Sequence, residues 1–190
     1  MSKISQPKKI GFDMDGVIID HTDLRIIVGK QFGFNLAPEQ TPSDILRVII
    51  PTHERRLMQD MLYNNPDTAL EAAMMNGAYE GIQKIINAGI PVFLISRRKD
   101  SVLATKLLLK HKLWPDLFDE SNTFFVENPE DKNTKAEELG ITHYVDDEDV
   151  ILNILSVVPN KILFDQYNVR SNSPYIKAHD WEDLVEKLLD

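Results

Sequence analysis

The chain has 190 residues, of which 43% are hydrophobic and 27% charged, enough to bury a full core in one domain. Its formal net charge of −9 argues against a nucleic-acid polymer as partner, because such binders usually carry a basic face. It has no cysteine, which excludes disulfides, thiolate metal sites and cysteine nucleophiles. Met1–Lys9 is polar and no long apolar run follows, so we expect a cytoplasmic protein without membrane contact.

The first predicted strand, Lys8–Phe12, runs directly into Asp13-Met14-Asp15-Gly16. Two carboxylates one residue apart at the end of an apolar strand repel each other and lose water unless a cation or a reaction compensates. Gly16 allows a sharp turn just after them. A calcium loop of the EF-hand type is excluded, because the glycine follows the second Asp directly. The alternative is a strand that ends in an ordinary polar turn.

Residues 21–76 differ in character from the rest of the chain. Apolar residues from Leu24 to Val28 predict one helix, and Pro42-Ser43-Asp44 opens another. Prolines divide the region into short pieces, and no strand alternation is visible. We therefore predict a small helical insertion, here called the cap, over residues 21–76. Residues 1–20 and 77–190 would form the core domain.

From Ala78 onward, predicted helices and apolar strands alternate. The predicted strands are Ile90–Ile95, Thr123–Val126, Ile141–Val145 and Lys161–Phe164. The predicted helices begin at Ala78 and at Asp100 or Ser101, span Lys132–Leu139 and Val150–Val158, and end with one capped by Asp180. This alternation predicts an α/β fold with a Rossmann-like, doubly wound parallel sheet. In such sheets, ligands bind beyond the carboxyl ends of the strands.

Three of the apolar runs end in reactive side chains: Asp13 and Asp15, then Ser96, then Asp146 and Asp147. In a parallel sheet these ends meet at one edge. Carboxylates, a hydroxyl and nearby lysines suit a hard cation such as Mg²⁺ together with a phosphoryl group. Zinc is disfavoured, because the chain has no cysteine and its five histidines are scattered. We expect those histidines to be surface or packing residues.

These residues resemble the four motifs of the haloacid dehalogenase-like (HAD) hydrolase superfamily. The matching segments are Asp13-Met14-Asp15-Gly16-Val17, Ile95-Ser96, Lys132 or Lys135, and Tyr144-Val145-Asp146-Asp147. The resemblance covers residues 8–16 and 78–190, and it implies a phosphatase in which Asp13 is the nucleophile and Asp15 the proton donor. A dehalogenase would lack an acid at position 15, because halide departure needs no proton.

The resemblance also implies the remaining roles. Ser96 and a lysine would bind the phosphoryl group, with Arg97 beside them. Lys132 is preferred over Lys135, because it lies nearer the helix N-terminus. Mg²⁺ would be held by Asp13, the backbone carbonyl of Asp15, and the acidic pair Asp146 and Asp147.

The acidic pair, Phe164-Asp165-Gln166 and Trp181 together resemble the 5′-nucleotidase branch most closely. We therefore predict a magnesium-dependent phosphomonoester hydrolase that acts on a small phosphorylated metabolite such as a nucleoside monophosphate. A phosphotransferase or mutase, or a non-catalytic phosphate-binding module, would share these features. At residue level, Ser96 could merely begin a loop. Asp146–Asp149 could be a solvated helix start, and Arg97–Lys99 a solvated turn.

Overall fold

The computed structural model of the protein describes residues 7–190, and its centre is a six-stranded parallel sheet. The sheet strands are β1 (Ile10–Phe12), β4 (Val92–Arg97), β5 (Thr123–Val126), β6 (His143–Asp146), β7 (Asn160–Phe164) and β8 (Ile176–Ala178). Their order is β5-β4-β1-β6-β7-β8, and every pairing is parallel. The predicted α/β doubly wound fold is therefore confirmed.

Successive strand residues point to opposite faces of this sheet, and helices cover both faces. Leu94 and Val145 belong to one cluster, with the helices that begin at Ala78, Ser101 and Trp181, whereas Ile95 and Tyr144 belong to a second cluster, with the helices that begin at Pro129 and Asp149. This two-sided burial explains why the strands are apolar throughout. The core helices are α5 (Ala78–Asn87), α6 (Ser101–Lys110), α7 (Pro129–Leu139), α8 (Asp149–Ile154) and α9 (Trp181–Leu189).

Several predicted boundaries differ from the structure. Helix α7 begins at Pro129, before the predicted Lys132, because Asn128 and Asp131 form a capping box and proline fits the first helical position. Strand β4 continues to Arg97, so Ser96 lies within the strand. Helix α8 is shorter than predicted and ends at Ile154. Strand β8 was not predicted at all.

The cap consists of four α-helices around its own small apolar cluster. They are α1 (Thr22–Gln31), α2 (Ser43–Ile49), α3 (Thr52–Asn64) and α4 (Pro66–Ala69), with a short 3₁₀ helix at Pro38–Gln40. Val28, Leu46, Ile50, Met58 and Leu62 form the buried centre of this cluster together with Leu36. The cap has a core separate from that of the parallel sheet.

The cap is joined to the core through a short antiparallel pair of strands, β2 (Ile19–Asp20) and β3 (Ala73–Met74). In this pair Asp20 lies opposite Ala73, so the chain leaves and re-enters the core at one place. The prediction that this region contains no strand is wrong at its base, because two-residue strands carry too little alternation to recognise.

Within residues 7–190, none of the helices combines the length and apolarity needed to cross a membrane.

Candidate active site

The predicted reactive residues meet at the carboxyl edge of the three central strands. Asp13 directly follows β1, which lies between β4 with Ser96 and β6 with Asp146. Lys132 reaches the same edge from α7. These residues line a cleft of about 600 Å³ between the sheet and the cap. The parallel order of the strands is what brings together residues more than a hundred positions apart.

Lys132 occupies the floor of the cleft between two carboxylates. Its Nζ lies 2.9 Å from Oδ2 of Asp146 and 3.0 Å from Oδ1 of Asp13, and the residue is 2% exposed. Burial would lower the pKa of Lys132, but Asp13 and Asp146 raise it well above the usual range. Lys132 is therefore a fixed cation at this site.

Lys135, one turn further along α7, lies outside this arrangement. Its ammonium group pairs with Glu138 and lies 5.0 Å from the ring centre of Phe124. Of the two lysines considered from the sequence, the structure brings only Lys132 to Asp13.

Asp13, Asp146 and Asp147 form a compact group of buried carboxylates. One oxygen from each lies within 4.8 Å of the others. Burial and the charge of Asp13 raise the pKa of Asp146 to about 7, even though Lys132 opposes the change. Burial and the charges of Glu148 and Asp146 raise the pKa of Asp147 well above its usual range. A hard divalent cation would relieve this repulsion, so the donor set fits Mg²⁺.

Gly16 allows Asp147 to approach the loop after β1. The glycine has φ +82°, a conformation that side chains disfavour, and a Cβ atom there would collide with the Asp147 carboxylate. The glycine after the two acids thus makes room for the third carboxylate of the group.

Ser96 contributes a hydroxyl that has no hydrogen-bond partner among residues 7–190. The residue is 1% exposed, and it borders the cleft beside Asp13 and Lys132. A buried hydroxyl without a partner is costly, and a phosphoryl oxygen would satisfy it. The alternative that Ser96 begins a loop is wrong, because it lies inside β4. A solvated role for Asp146 and Asp147 is also wrong, since both are buried.

Asp15 is held apart from the three-carboxylate group by two other side chains. Nη2 of Arg98 donates to Oδ1 of Asp15 at 2.6 Å, and Nε2 of His21 lies 2.7 Å from the same oxygen. Burial would raise the pKa of Asp15, but Arg98 and His21 outweigh it and hold that pKa well below its usual range. Asp15 is therefore a carboxylate, and Nε2 of His21 carries the proton that it donates.

His21 and Arg98 are the site residues that the sequence did not reveal. Burial is the main reason that the pKa of His21 is lowered, although Asp15 opposes the change. Arg98 is 6% exposed, so the solvated-turn alternative is wrong for this residue. Arg98 lies one residue beyond β4, so the alternation of a strand does not link it to Ser96 in the sequence. Arg97, the predicted substrate-binding arginine, is exposed at the end of β4 and lines the cleft.

The cap contributes Tyr63 and Arg25 to the opposite side of the cleft. Arg98 lies over the ring of Tyr63 at 4.7 Å, and His21 meets this ring edge-to-face at 5.1 Å. Arg25 is buried and donates to the Tyr63 hydroxyl at 2.8 Å. The cap therefore touches both side chains that hold Asp15.

Several solved structures share this fold over nearly their whole length. A predicted phosphatase from Clostridium acetobutylicum has a TM-score of 0.70 and 14% identity, with 97% of this chain and 99% of that chain covered. A HAD hydrolase of family IA, variant 3, from Entamoeba histolytica HM-1:IMSS has a TM-score of 0.59 and 16% identity, with 96% and 100% covered. A protein described as a dehalogenase has a TM-score of 0.63 and 13% identity, with 98% and 99% covered.

These likenesses establish that the chain has the fold of the HAD-like hydrolases. No protein-family model matches the sequence, and none of the curated proteins matches it either. None of the three structures is described as a nucleotidase, so the expected 5′-nucleotidase branch gains no support from them.

Proposed function

We propose that the protein is a magnesium-dependent phosphomonoester hydrolase that works through an aspartyl-phosphate intermediate. The observation that supports this most directly is the meeting of Asp13, Lys132 and the unpartnered Ser96 hydroxyl at one end of the cleft. A nucleophile, a cation and a buried donor around one small space match the needs of a phosphoryl group.

Asp13 acts as the nucleophile in this proposal. One of its oxygens attacks phosphorus, a bond to the ester oxygen breaks, and the phosphoryl group is transferred to the carboxylate. Water then attacks the aspartyl phosphate, which releases inorganic phosphate and regenerates Asp13. Lys132 balances the charge of Asp13 throughout, and Ser96 donates to a phosphoryl oxygen.

Asp15 moves the protons of both steps. Asp15, ionised in the free protein, takes the proton of the bound monoester monoanion and passes it to the leaving oxygen in the first step, and it takes a proton from water in the second. His21 and Arg98 both contact Oδ1, which leaves Oδ2 of Asp15 to carry the proton. The presence of this acid favours a phosphatase over a dehalogenase.

Asp13, Asp146 and Asp147 would hold the cation. Mg²⁺ bound there supplies positive charge that reduces the repulsion between these carboxylates and a phosphate. Lys132 pairs with Asp13 and Asp146, and no salt bridge among residues 7–190 reaches Asp147, which supports the need for a second cation.

The lining of the cleft favours a small polar substrate of sugar-phosphate size. Tyr63 is the only aromatic residue among the described residues that line it, and Arg98 and His21 already contact its ring. Nucleobases are usually held by stacking on an open aromatic face. A nucleoside monophosphate, the expectation from the sequence, therefore ranks below a sugar phosphate here.

The first experiment is a phosphate-release screen over sugar phosphates and nucleoside monophosphates, with and without Mg²⁺. We expect turnover that requires Mg²⁺. Asp13→Asn should lower it by several orders of magnitude, because an amide is not an anionic nucleophile. Asp67→Asn, at an exposed cap carboxylate, is the matched control and should retain activity. A rate in Asp13→Asn within about tenfold of wild type would contradict the mechanism.

A further inference from the structure

Asp15 is oriented by two side chains that come from different parts of the molecule. His21 stands at the entrance to the cap, directly before α1, whereas Arg98 follows β4 in the core. Both contact Oδ1 of Asp15, at 2.7 and 2.6 Å. The position of this carboxylate therefore depends on how the cap and the core meet.

Few hydrogen bonds other than those to Asp15 fix these two side chains. Nδ1 of His21 and Nε of Arg98 are both buried, and neither has a hydrogen-bond partner among residues 7–190. Apart from Asp15, the specific contact that each side chain makes is with the ring of Tyr63. Loss of this ring would leave each of them with Asp15 as its one specific contact.

Tyr63 is itself tied to several segments of the cap. It lies in the last turn of α3, and its hydroxyl accepts from Arg25 on α1 at 2.8 Å. Arg25 also donates to the Thr41 carbonyl at 2.9 Å and to the Ser43 hydroxyl at 3.0 Å. His21 belongs to the cap with Tyr63, whereas Arg98 belongs to the core, so the contact between Tyr63 and Arg98 exists only when the cap lies against the core.

We propose that Tyr63 is a positioning residue that couples closure of the cap to the orientation of Asp15. With the cap closed, the Tyr63 ring holds His21 and Arg98 so that Asp15 presents Oδ2 to the leaving oxygen. When the cap moves away, Arg98 loses the ring and His21 moves with the cap, so Asp15 is no longer held by both side chains and proton transfer from it becomes inefficient. This coupling rests on the proposed phosphatase function, and it would regulate the first step, in which Asp15 protonates the leaving oxygen.

The test compares two esters that differ in their need for a proton. p-Nitrophenyl phosphate releases a weakly basic phenolate, which leaves without general-acid help. Phenyl phosphate releases a more basic one and depends on the acid. Defects in Asp15 orientation should therefore lower kcat/KM, which reports the first step alone, much more for phenyl phosphate than for p-nitrophenyl phosphate, and Asp15→Asn gives the upper limit of this difference.

Tyr63→Leu removes the ring and should lower kcat/KM for phenyl phosphate roughly tenfold more than for p-nitrophenyl phosphate. Tyr63→Phe keeps the ring and should retain the wild-type ratio of the two rates. Phe34→Leu removes a ring from the cap cluster, away from Asp15, and should also retain that ratio. If Tyr63→Leu does not fold, Tyr63→Met replaces the ring with a flexible side chain of similar size and carries the same expectation.

An equal loss for both esters in Tyr63→Leu or Tyr63→Met would show a purely structural role and overturn the coupling. The same ratio change in Tyr63→Phe would assign the effect to the bond between the hydroxyl and Arg25 and would overturn the role of the ring. Absence of wild-type turnover on both esters would instead contradict the proposed function itself, so the two failures are distinguishable.

Discussion

Lys132 and Lys135 stand one helical turn apart on α7 but have very different surroundings. Lys132→Met would leave Asp13 and Asp146 without their shared cation, so we expect kcat/KM to fall about 100-fold or more. Lys135→Met should change it by less than about threefold, because that ammonium is partly exposed and pairs with Glu138. Steady-state kinetics on one aryl phosphate measures both. Similar losses in the two variants would contradict the assignment of Lys132.

The raised pKa of Asp146 predicts how Mg²⁺ binding depends on pH. The pKa of this carboxyl is about 7, so at lower pH it holds a proton, which must leave before the oxygen can bind a cation. The Mg²⁺ affinity should therefore rise with pH, by up to about tenfold per unit for each proton released, and level off above neutrality. Calorimetric titration on both sides of neutrality measures this dependence.

Asp146→Asn is the control for this titration, because an amide has no proton to release in this range. It should bind Mg²⁺ more weakly and with a shallower dependence on pH. An affinity in the wild-type protein that does not change with pH would show that the acidic group is already ionised without the metal.

Residue chemistry explains why part of the site could be predicted and part could not. Asp13, Ser96 and Asp146 each come at the end of an apolar run, so the sheet topology alone places them together. His21 has no such local signal, because it stands alone between a short strand and a helix. Its role arises from a contact with Asp15 that only the folded chain creates. Arg98 lies just beyond the end of β4, where strand alternation gives no signal in the sequence.

At the scale of elements, two ion pairs tie helix α2 of the cap to the core. Arg170, in the segment after β7, donates to both carboxylate oxygens of Asp44 at 2.7 and 3.0 Å. Arg47, one turn later on α2, pairs with Glu148 beside the acidic group. Helix α2 supplies the acid in the first ion pair and the base in the second, and both pairs hold the same face of α2 against the core.

Asp44→Asn should loosen this contact while Arg170 keeps its bond to the buried Asp165. We expect amide hydrogen exchange in α2 to become about fivefold faster, the equivalent of roughly 1 kcal/mol, since the ion pair is bidentate and partly buried. Asp67→Asn removes an exposed cap carboxylate and should leave exchange in α2 unchanged. Unaltered exchange in Asp44→Asn would mean that apolar packing alone holds α2 in place.

The elements that could be predicted are those with a long, regular pattern. Thr123–Val126 has the predicted bounds, and the Asp180 cap of α9 is present as a hydrogen bond to the Asp183 amide at 2.8 Å. Strand β8 is three residues long, lies in a polar stretch and has only Ala178 buried, so its sequence carries no strand signal. It forms because it pairs with the edge of β7, and this pairing depends on the tertiary structure.

At the scale of the whole molecule, the division into core and cap predicts how specificity is distributed. In the proposed function, the core residues would contact only the phosphoryl group that all phosphate monoesters share. Replacing residues 21–72 with an Asn-Gly turn should leave a β2–β3 hairpin, because Asp20 and Ala73 are already paired. We expect this variant to hydrolyse p-nitrophenyl phosphate but to lose its preference among natural phosphates.

Comparison of the variant with the full chain across the same phosphate panel measures this change. The circular dichroism of the variant provides the control that the parallel sheet is still folded. An unchanged order of preference would place specificity in the core loops instead of the cap.

The central position of β1 has a consequence for the order in which the molecule can assemble during synthesis. Ile10 and Phe12 are among the first residues made, yet their partners on β4 and β6 follow about eighty and more than a hundred residues later. The cap cluster, in contrast, lies entirely between Leu24 and Tyr63, so its contacts are available early. Until His143–Asp146 leaves the ribosome, β1 has an open edge, which is a site of mispairing. The contacts of the cap can therefore form during synthesis well before the sheet residues that line the opposite side of the cleft are in place.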